Sequence, residues 1–394
     1  MSIQVVVGTS SDPDPFRAGQ EAVKNAQAKN PISKPGLTIV FSSVRYAHEQ
    51  LLTGIRSLTG NGPLVGCTDA GGITHKGPNR RAVTVMLLQS DDIEFVTGLG
   101  KGLGENALAA GRQLAQEWLS RPSSKPMRAA MIFPDGLRGN GADVVRGLQA
   151  GIGLELPIVG GAAGDDFLFK TTYQYYNDQV LTDSVPGVLF RGTMKIGVGV
   201  LHGWKPLGIP RTVTKAKGNI LYEIDGHPAV TLYEEYFGKS AEDLKKEPLA
   251  QMAITYPLGV YMPDQEEYLI RDPITVNEDG SIVCAAEIRE GSQVRLMMGS
   301  TSSALGAARK AAQHALEGLQ GSPPLGAVIF NCIARDKMLG NRAPEEISII
   351  RDTVGKNVEM AGFYTYGEQA PVDGKGSAFN CHFHNETVVI FLFG

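Results

Sequence analysis

One pattern recurs three times along the 394 residues, and an internal repeat constrains a fold more tightly than composition does. Each copy is a short apolar run, a glycine, a few small or polar residues, and a second glycine four or five positions on. The copies are PLVGCTDAGG (63–72), PIVGGAAGDD (157–166) and VEMAGFYTYGE (358–368). Gly66, Gly160 and Gly362 hold the first place; Gly71, Gly164 and Gly367 hold the second. Glycine tolerates positive φ and admits another backbone at close range, so the pattern predicts turns at a binding mouth.

The surroundings recur as well. Upstream of each copy an apolar strand ends in a polar turn, in LTIVFSSVR, AAMIFPDGLRG and AVIFNCIARD, which align on Phe41, Phe133 and Phe330. Between the two strands lie segments of helical period: HEQLLTGIRSL, ADVVRGLQAGI and PEEISIIRDTV. A further strand and helix come first, in VVVGTS with FRAGQEAVKNAQ, EFVTGLG with ENALAAGRQLAQEWL, and VRLMMGSTS with ALGAARKAAQHALEGL. In the last helix Leu305, Ala308, Ala312, Leu316 and Leu319 share one face. The expected fold class is α/β: repeated β-α-β-α-β-β units at roughly 1–90, 91–200 and 292–394, forming mixed sheets flanked by helices. A smaller β-rich insertion is expected at 201–291. There the sequence predicts a hairpin turning at Asp225-Gly226, a helix with Pro228 in its first turn, and a charged linker at 239–247. The loop 167–178, FLFKTTYQYYND, reads equally as an aromatic lid and as an edge strand.

Charge and cysteine usage narrow the function. The 37 basic and 41 acidic residues are mixed along the chain, for a net charge of -4, and no basic stripe points to nucleic acid. Cys67, Cys284, Cys332 and Cys381 are widely spaced with no CxxC pair, which argues against a disulfide framework or a structural zinc and for a reducing, cytoplasmic setting. The N-terminus lacks a leader pattern, and the longest apolar run, 388–393, is too short to cross a bilayer, so no membrane insertion is expected.

Ligands of open α/β sheets bind where loops leave the carboxyl ends of strands. Here those loops carry Cys67, Thr68 and Gly71; Gly161, Asp165 and Asp166; Asn331, Cys332 and Arg335; and Tyr364, Tyr366 and Glu368, with Ser42, Ser43 and Asp135 beside them. This set suits a small zwitterion or anion, with Arg335 as carboxylate partner and Glu368 or Asp165 as cation partner. No catalytic residue is assigned and an enzyme is not expected; the alternative is a nucleophile at Cys67 or Cys332, although no histidine lies near either in sequence. GLGKGLGENAL departs from the dinucleotide spacing. His382 and His384 share one face of an expected surface edge strand, but no third metal ligand is evident. His202, in LHGW beside Trp204, is the one candidate for an axial haem ligand.

Taken together, GCTDAGGI, VGVLHGWKP, VTKAKGNILYEIDGHPAV, FNCIARD, GFYTYGEQAP and the late Asn385–Thr387 pair resemble the FIST sensory domain over nearly the whole chain. The resemblance implies an N-terminal FIST module at 1–200 and a C-terminal one at 201–394. It implies a stand-alone intracellular sensor of bacterial signal transduction whose ligand is an amino acid or similar small molecule. Some members of the family are haem-containing nitric-oxide sensors, which makes haem the alternative cofactor. With no output segment in the chain, the expected partner is a separate signalling protein such as a histidine kinase or cyclase.

Overall fold

Local signals start the helices where the apolar period begins. In the computed structural model, which describes residues 3–394 except 29, 33, 247, 248, 264, 266 and 373–379, Asp14 caps the first helix by accepting from the Arg17 amide. The first unit runs β1 (Gln4–Ser10), α1 (Pro15–Gln27), β2 (Leu37–Ser43), α2 (His48–Thr59), β3 (Leu64–Asp69), a hairpin of β4 (Gly72–Thr74) and β5 (Gly77–Asn79), and β6 (Val83–Gln89). The second repeats it: β7 (Glu94–Lys101), α3 (Leu103–Leu119), β8 (Met127–Ile132), α4 (Gly141–Ile152), β9 (Ile158–Gly161), a hairpin of β10 (Gln174–Tyr176) and β11 (Gln179–Leu181), and β12 (Ser184–Arg191).

The third unit opens with β13 (Ile196–Leu201), and the insertion follows that strand. It contains β14 (Lys205–Lys217), β15 (Ile220–Ile224), β16 (His227–Pro228), α5 (Thr231–Phe237), α6 (Ala241–Lys246), α7 (Leu249–Ala253), β17 (Leu258–Val260), β18 (Leu269–Arg271), β19 (Pro273–Val276), β20 (Ile282–Cys284) and β21 (Gln293–Met298). The third unit then resumes with α8 (Thr301–Gly318), β22 (Gly326–Cys332), α9 (Ile333–Leu339), α10 (Ala343–Val354), β23 (Glu359–Thr365), a hairpin of β24 (Glu368–Pro371) and β25 (Cys381–His384), and β26 (Val388–Phe393).

The three sheets share one strand order, β1-β6-β2-β3, β7-β12-β8-β9 and β13-β26-β22-β23, and each is completed by a hairpin from another unit. The unit 2 hairpin joins β3, the unit 3 hairpin joins β9, and the unit 1 hairpin joins β23. The exchange is cyclic, so no unit has a complete sheet of its own. The inner faces meet on Phe41, Phe133 and Phe330, the residues that align the repeats. Phe41 and Phe133 lie 5.7 Å apart, Phe133 and Phe330 6.3 Å, and Phe363 packs on both Phe41 and Phe330. The helix pairs cover the outer faces, each over its own apolar cluster.

Three sequence readings change. The strand VRLMM, expected to open the third unit, is β21 and pairs with β14 and β17 in the insertion's antiparallel sheet; β13 pairs with β26 as β1 does with β6. The reason is visible in IGVGVL: a Cβ at Gly197 or Gly199 would overlap the Ala315 or Ala311 carbonyl of α8, so these glycines let the helix lie directly on the strand. Gly8 under α1 and Gly100 under α3 do the same. Pro228 sits in β16, paired with Glu223 of β15, and α5 begins three residues later. The Asp225-Gly226 turn itself is as read, with both residues at positive φ. The expected linker after residue 238 carries α6.

Candidate functional site

The repeated glycines serve the frame. Gly66, Gly160 and Gly362 stand opposite Val40, Ile132 and Ile329 on the neighbouring parallel strand, and a Cβ on any of them would overlap that residue's carbonyl oxygen. The turns that follow hold one another. Ala70 donates to the Tyr364 carbonyl and Tyr364 to Gly71, Gly164 donates to Thr68 and Asp166 to Asp69, and Ala162 donates to Gly367 while Tyr366 donates to Ala162. All three units are joined in a ring of backbone hydrogen bonds. The close backbone that glycine admits is therefore that of another repeat.

The side chains named from these loops are mostly committed within the protein. Thr68 accepts from the Tyr173 amide, and Asp166 accepts from Ser43 at 2.6 Å. Asp165, 1% exposed, accepts from the amides of Leu168, Phe169, Lys170 and Thr171 and from the Tyr366 hydroxyl. Arg335 is buried on α9: its donors reach Glu346 Oε1 and the carbonyls of His202, Glu386 and Ala304, so the guanidinium expected to take a ligand carboxylate has no free arm. Asn331 donates to Glu346 in the same network. Glu368 accepts from Thr365 and from the Thr387 amide, and burial pushes its carboxyl up to about 8. Tyr364 is buried between Gly71 and the α9 side of the sheet. Gly161 packs against Thr365, Phe330 and Phe363.

The thiols of Cys67 and Cys332 are buried, and burial pushes both well above the ordinary thiol range, which opposes the thiolate a nucleophile needs. His202 Nδ1 accepts from the Trp204 amide, and the face of Nε2 that an iron would need is taken by the Glu267 carboxylate, with Oε2 2.8 Å away. An axial haem ligand needs a free imidazole nitrogen, so these residues do not fit the group.

A ligand-sized space opens elsewhere, at the seam where α4, the insertion and β25 meet. The cavity has a volume of about 680 Å³, within the range of small-molecule sites. Arg146 of α4, Arg271 of β18, Glu287 and Arg289 after β20, Tyr261 after β17, and His382 of β25 line it. Arg146 clamps Glu287 with two donors, and Asn140 adds a third at 2.9 Å. Burial works to raise the Glu287 carboxyl, but these bonds outweigh it and hold it at about 2. Arg271 is 3% exposed and donates to the main-chain carbonyls of Glu287, Ile270 and Phe383. Burial brings its guanidinium down to about 10. Among the described residues no carboxylate accepts from it, an unusual state for a buried charge.

His382 stands half-buried on the edge strand β25, where the sequence reading places a solvated surface. The masking element is the insertion, whose strands cover this edge. Burial, followed by the repulsion of Arg271, Arg289 and Arg146, lowers His382 to about 4, and its buried Nε2 has no hydrogen-bond partner among the described residues. The sequence did carry signals for this seam: an arginine inside the apolar stretch YLIRDPITV, and the histidine alternation of CHFHN.

The fold and cavity define an α/β protein built from three strand-exchanged units with a binding-sized seam under an inserted β-rich element. The chain belongs to the FIST family: it matches the FIST N domain over residues 36–227 and the FIST C domain over residues 229–371. FIST domains are associated with sensory roles in signal transduction. An uncharacterised protein of Mycobacterium tuberculosis is 27% identical over 392 residues, covering 94% of this chain and 96% of that protein. One of Mycobacterium bovis is 24% identical over 401 residues, covering 95% and 96%. One of Methanocaldococcus jannaschii is 32% identical over 153 residues, covering 36% and 30%. Among solved structures, a cyanuric acid hydrolase aligns over 100% of both chains with a TM-score of 0.36 and 8% identity, a likeness too slight to transfer chemistry.

Proposed function

We propose that this FIST protein is a sensor that binds a small molecule in the seam cavity and passes the signal to a separate protein such as a histidine kinase or cyclase. The observation that carries the reading is the cavity itself: about 680 Å³ of space bounded by three separate parts of the chain, with a buried guanidinium and an imidazole nitrogen that have no side-chain hydrogen-bond partner among the described residues. A guest there touches the repeat frame through α4 and β25 and the insertion through β18. It can thereby favour one disposition of the two over another, as a signal requires. Amino acids and related small molecules fit the volume and the mixed charge of the walls. The buried, protonated thiols support a binding role over cysteine-based catalysis.

A thermal-shift screen of amino acids and small organic acids tests this. A ligand at a hundred times its Kd stabilises the folded state by about 2.7 kcal/mol, which a melting curve resolves. Arg289 and Gln293 are exposed at the cavity wall, so Arg289→Ala and Gln293→Ala leave the fold intact. The stabilisation should fall in both variants; a shift that survives unchanged in both would place the ligand elsewhere.

A further inference from the structure

We infer that the seam cavity takes a small organic acid as its carboxylate, and that His382 takes up a proton as the acid binds. The inference rests on the seam being the ligand site, and the donor inventory carries it. Of the two acids at the wall, Glu287 is held by Arg146 and Asn140, and Glu290 is exposed to solvent with one long contact, to the Ala216 amide at 3.5 Å. The cations are not matched in the same way. Arg146 is spent on Glu287 and Asp143, but among the described residues Arg271 donates only to carbonyls, and Arg289 lies 3.6 Å from an oxygen that Arg146 already holds. The charged side chains of the wall are therefore three arginines against two carboxylates, and a buried guanidinium that, among the described residues, donates to no carboxylate is relieved by an anion.

His382 completes the set. The charged groups that face it are Arg146 from α4, Arg271 from β18, Arg289 and Glu287 from the segment after β20, and His384 on its own strand. At neutral pH it is uncharged, since burial and then the three arginines oppose protonation. A carboxylate placed among the arginines cancels their repulsion and adds attraction, so the imidazole gains a proton from solvent at Nε2 and donates it as a hydrogen bond to the guest. No covalent step is involved. The bound state is an anion held by Arg271, Arg289 and an imidazolium.

Isothermal titration calorimetry at pH 7 with succinate, repeated in two buffers of different ionisation enthalpy, counts the protons. Succinate should bind with net proton uptake, and succinamide, its uncharged isostere, should not bind. His382→Gln should abolish the uptake and weaken binding about tenfold, the loss of one charge-assisted hydrogen bond. Binding of succinate without uptake, or uptake that persists in His382→Gln, overturns the role of His382. Equal binding of succinamide, or failure of carboxylates of two to six carbons to bind, overturns the ligand class while the amino-acid screen still judges the site. A succinate affinity unchanged by Arg289→Ala overturns the site reading itself.

Discussion

The glycines of the repeated turns show how narrow the margin is at single residues. Gly160 faces the Ile132 carbonyl across a parallel pair, and Gly160→Ala drives a methyl into it. The expected cost is about 3 kcal/mol, read as a shift in the denaturation midpoint at constant slope. Gly153, at φ 83 and ψ 173 with nothing within 4 Å of an added Cβ, is the clash-free control: Gly153→Ala should cost about 1–3 kcal/mol, the backbone penalty of that glycine region alone. Arg335 and Glu346 make a comparable case for charge. Both are buried and joined at 2.5 Å, so Arg335→Met strands a carboxylate in the core. A loss of about 3–5 kcal/mol should follow, with ligand affinity unchanged. The sequence displayed Arg335 as a polar residue after a strand, which is why it reads as a ligand partner. Only the folding of α10 across that strand end brings Glu346 to it, and no local pattern encodes that contact.

Among elements, those with their own period were legible: helices α1 to α4, α8 and α10 lie where the apolar spacing places them, and Phe41, Phe133 and Phe330 align the repeats. What the sequence conceals is partner choice between strands. A three-residue strand such as β4 carries no mark saying that it will join β23 of another unit. The seam was hidden for the same reason, since Arg146, Arg271 and His382 come together only through the insertion. The loop after β9 adds an element with its own test. Asp166, Phe167 and Phe169 all have positive φ, a strained state for residues with side chains, and the Asp165 carboxylate holds it through four amides. Asp165→Ala should destabilise the protein by about 2–3 kcal/mol and raise amide exchange at residues 168–171.

At the scale of the molecule, buried ionisable groups make stability depend on pH in a defined direction. Burial raises the carboxyls of Asp272 to about 7 and Glu368 to about 8, and raises Glu386 and Asp69 well above the carboxylate range. Folding thus favours their protonated forms. Their contribution is complete below the unfolded value near 4 and is lost as pH rises through 7 to 8. Burial lowers His48 and His382 to about 4 and His384 to about 3, so their contribution is complete above about 6.5 and is lost as pH falls towards 3. The two sets oppose each other between about pH 4 and 6.5, and above that the carboxyls act alone. Urea denaturation should show stability declining from pH 6.5 to 8.5, with a shallower slope in Glu386→Gln.

The ring of turns and the seam are separate parts of one molecule, and ligand binding is proposed at the seam. Hydrogen-exchange mass spectrometry with and without saturating succinate distinguishes them directly. Protection gained at residues 260–263, 287–293 and 380–383, with 66–71, 160–166 and 362–368 unchanged, is the expected result. Protection centred on the three glycine turns, with the seam unaltered, would contradict it.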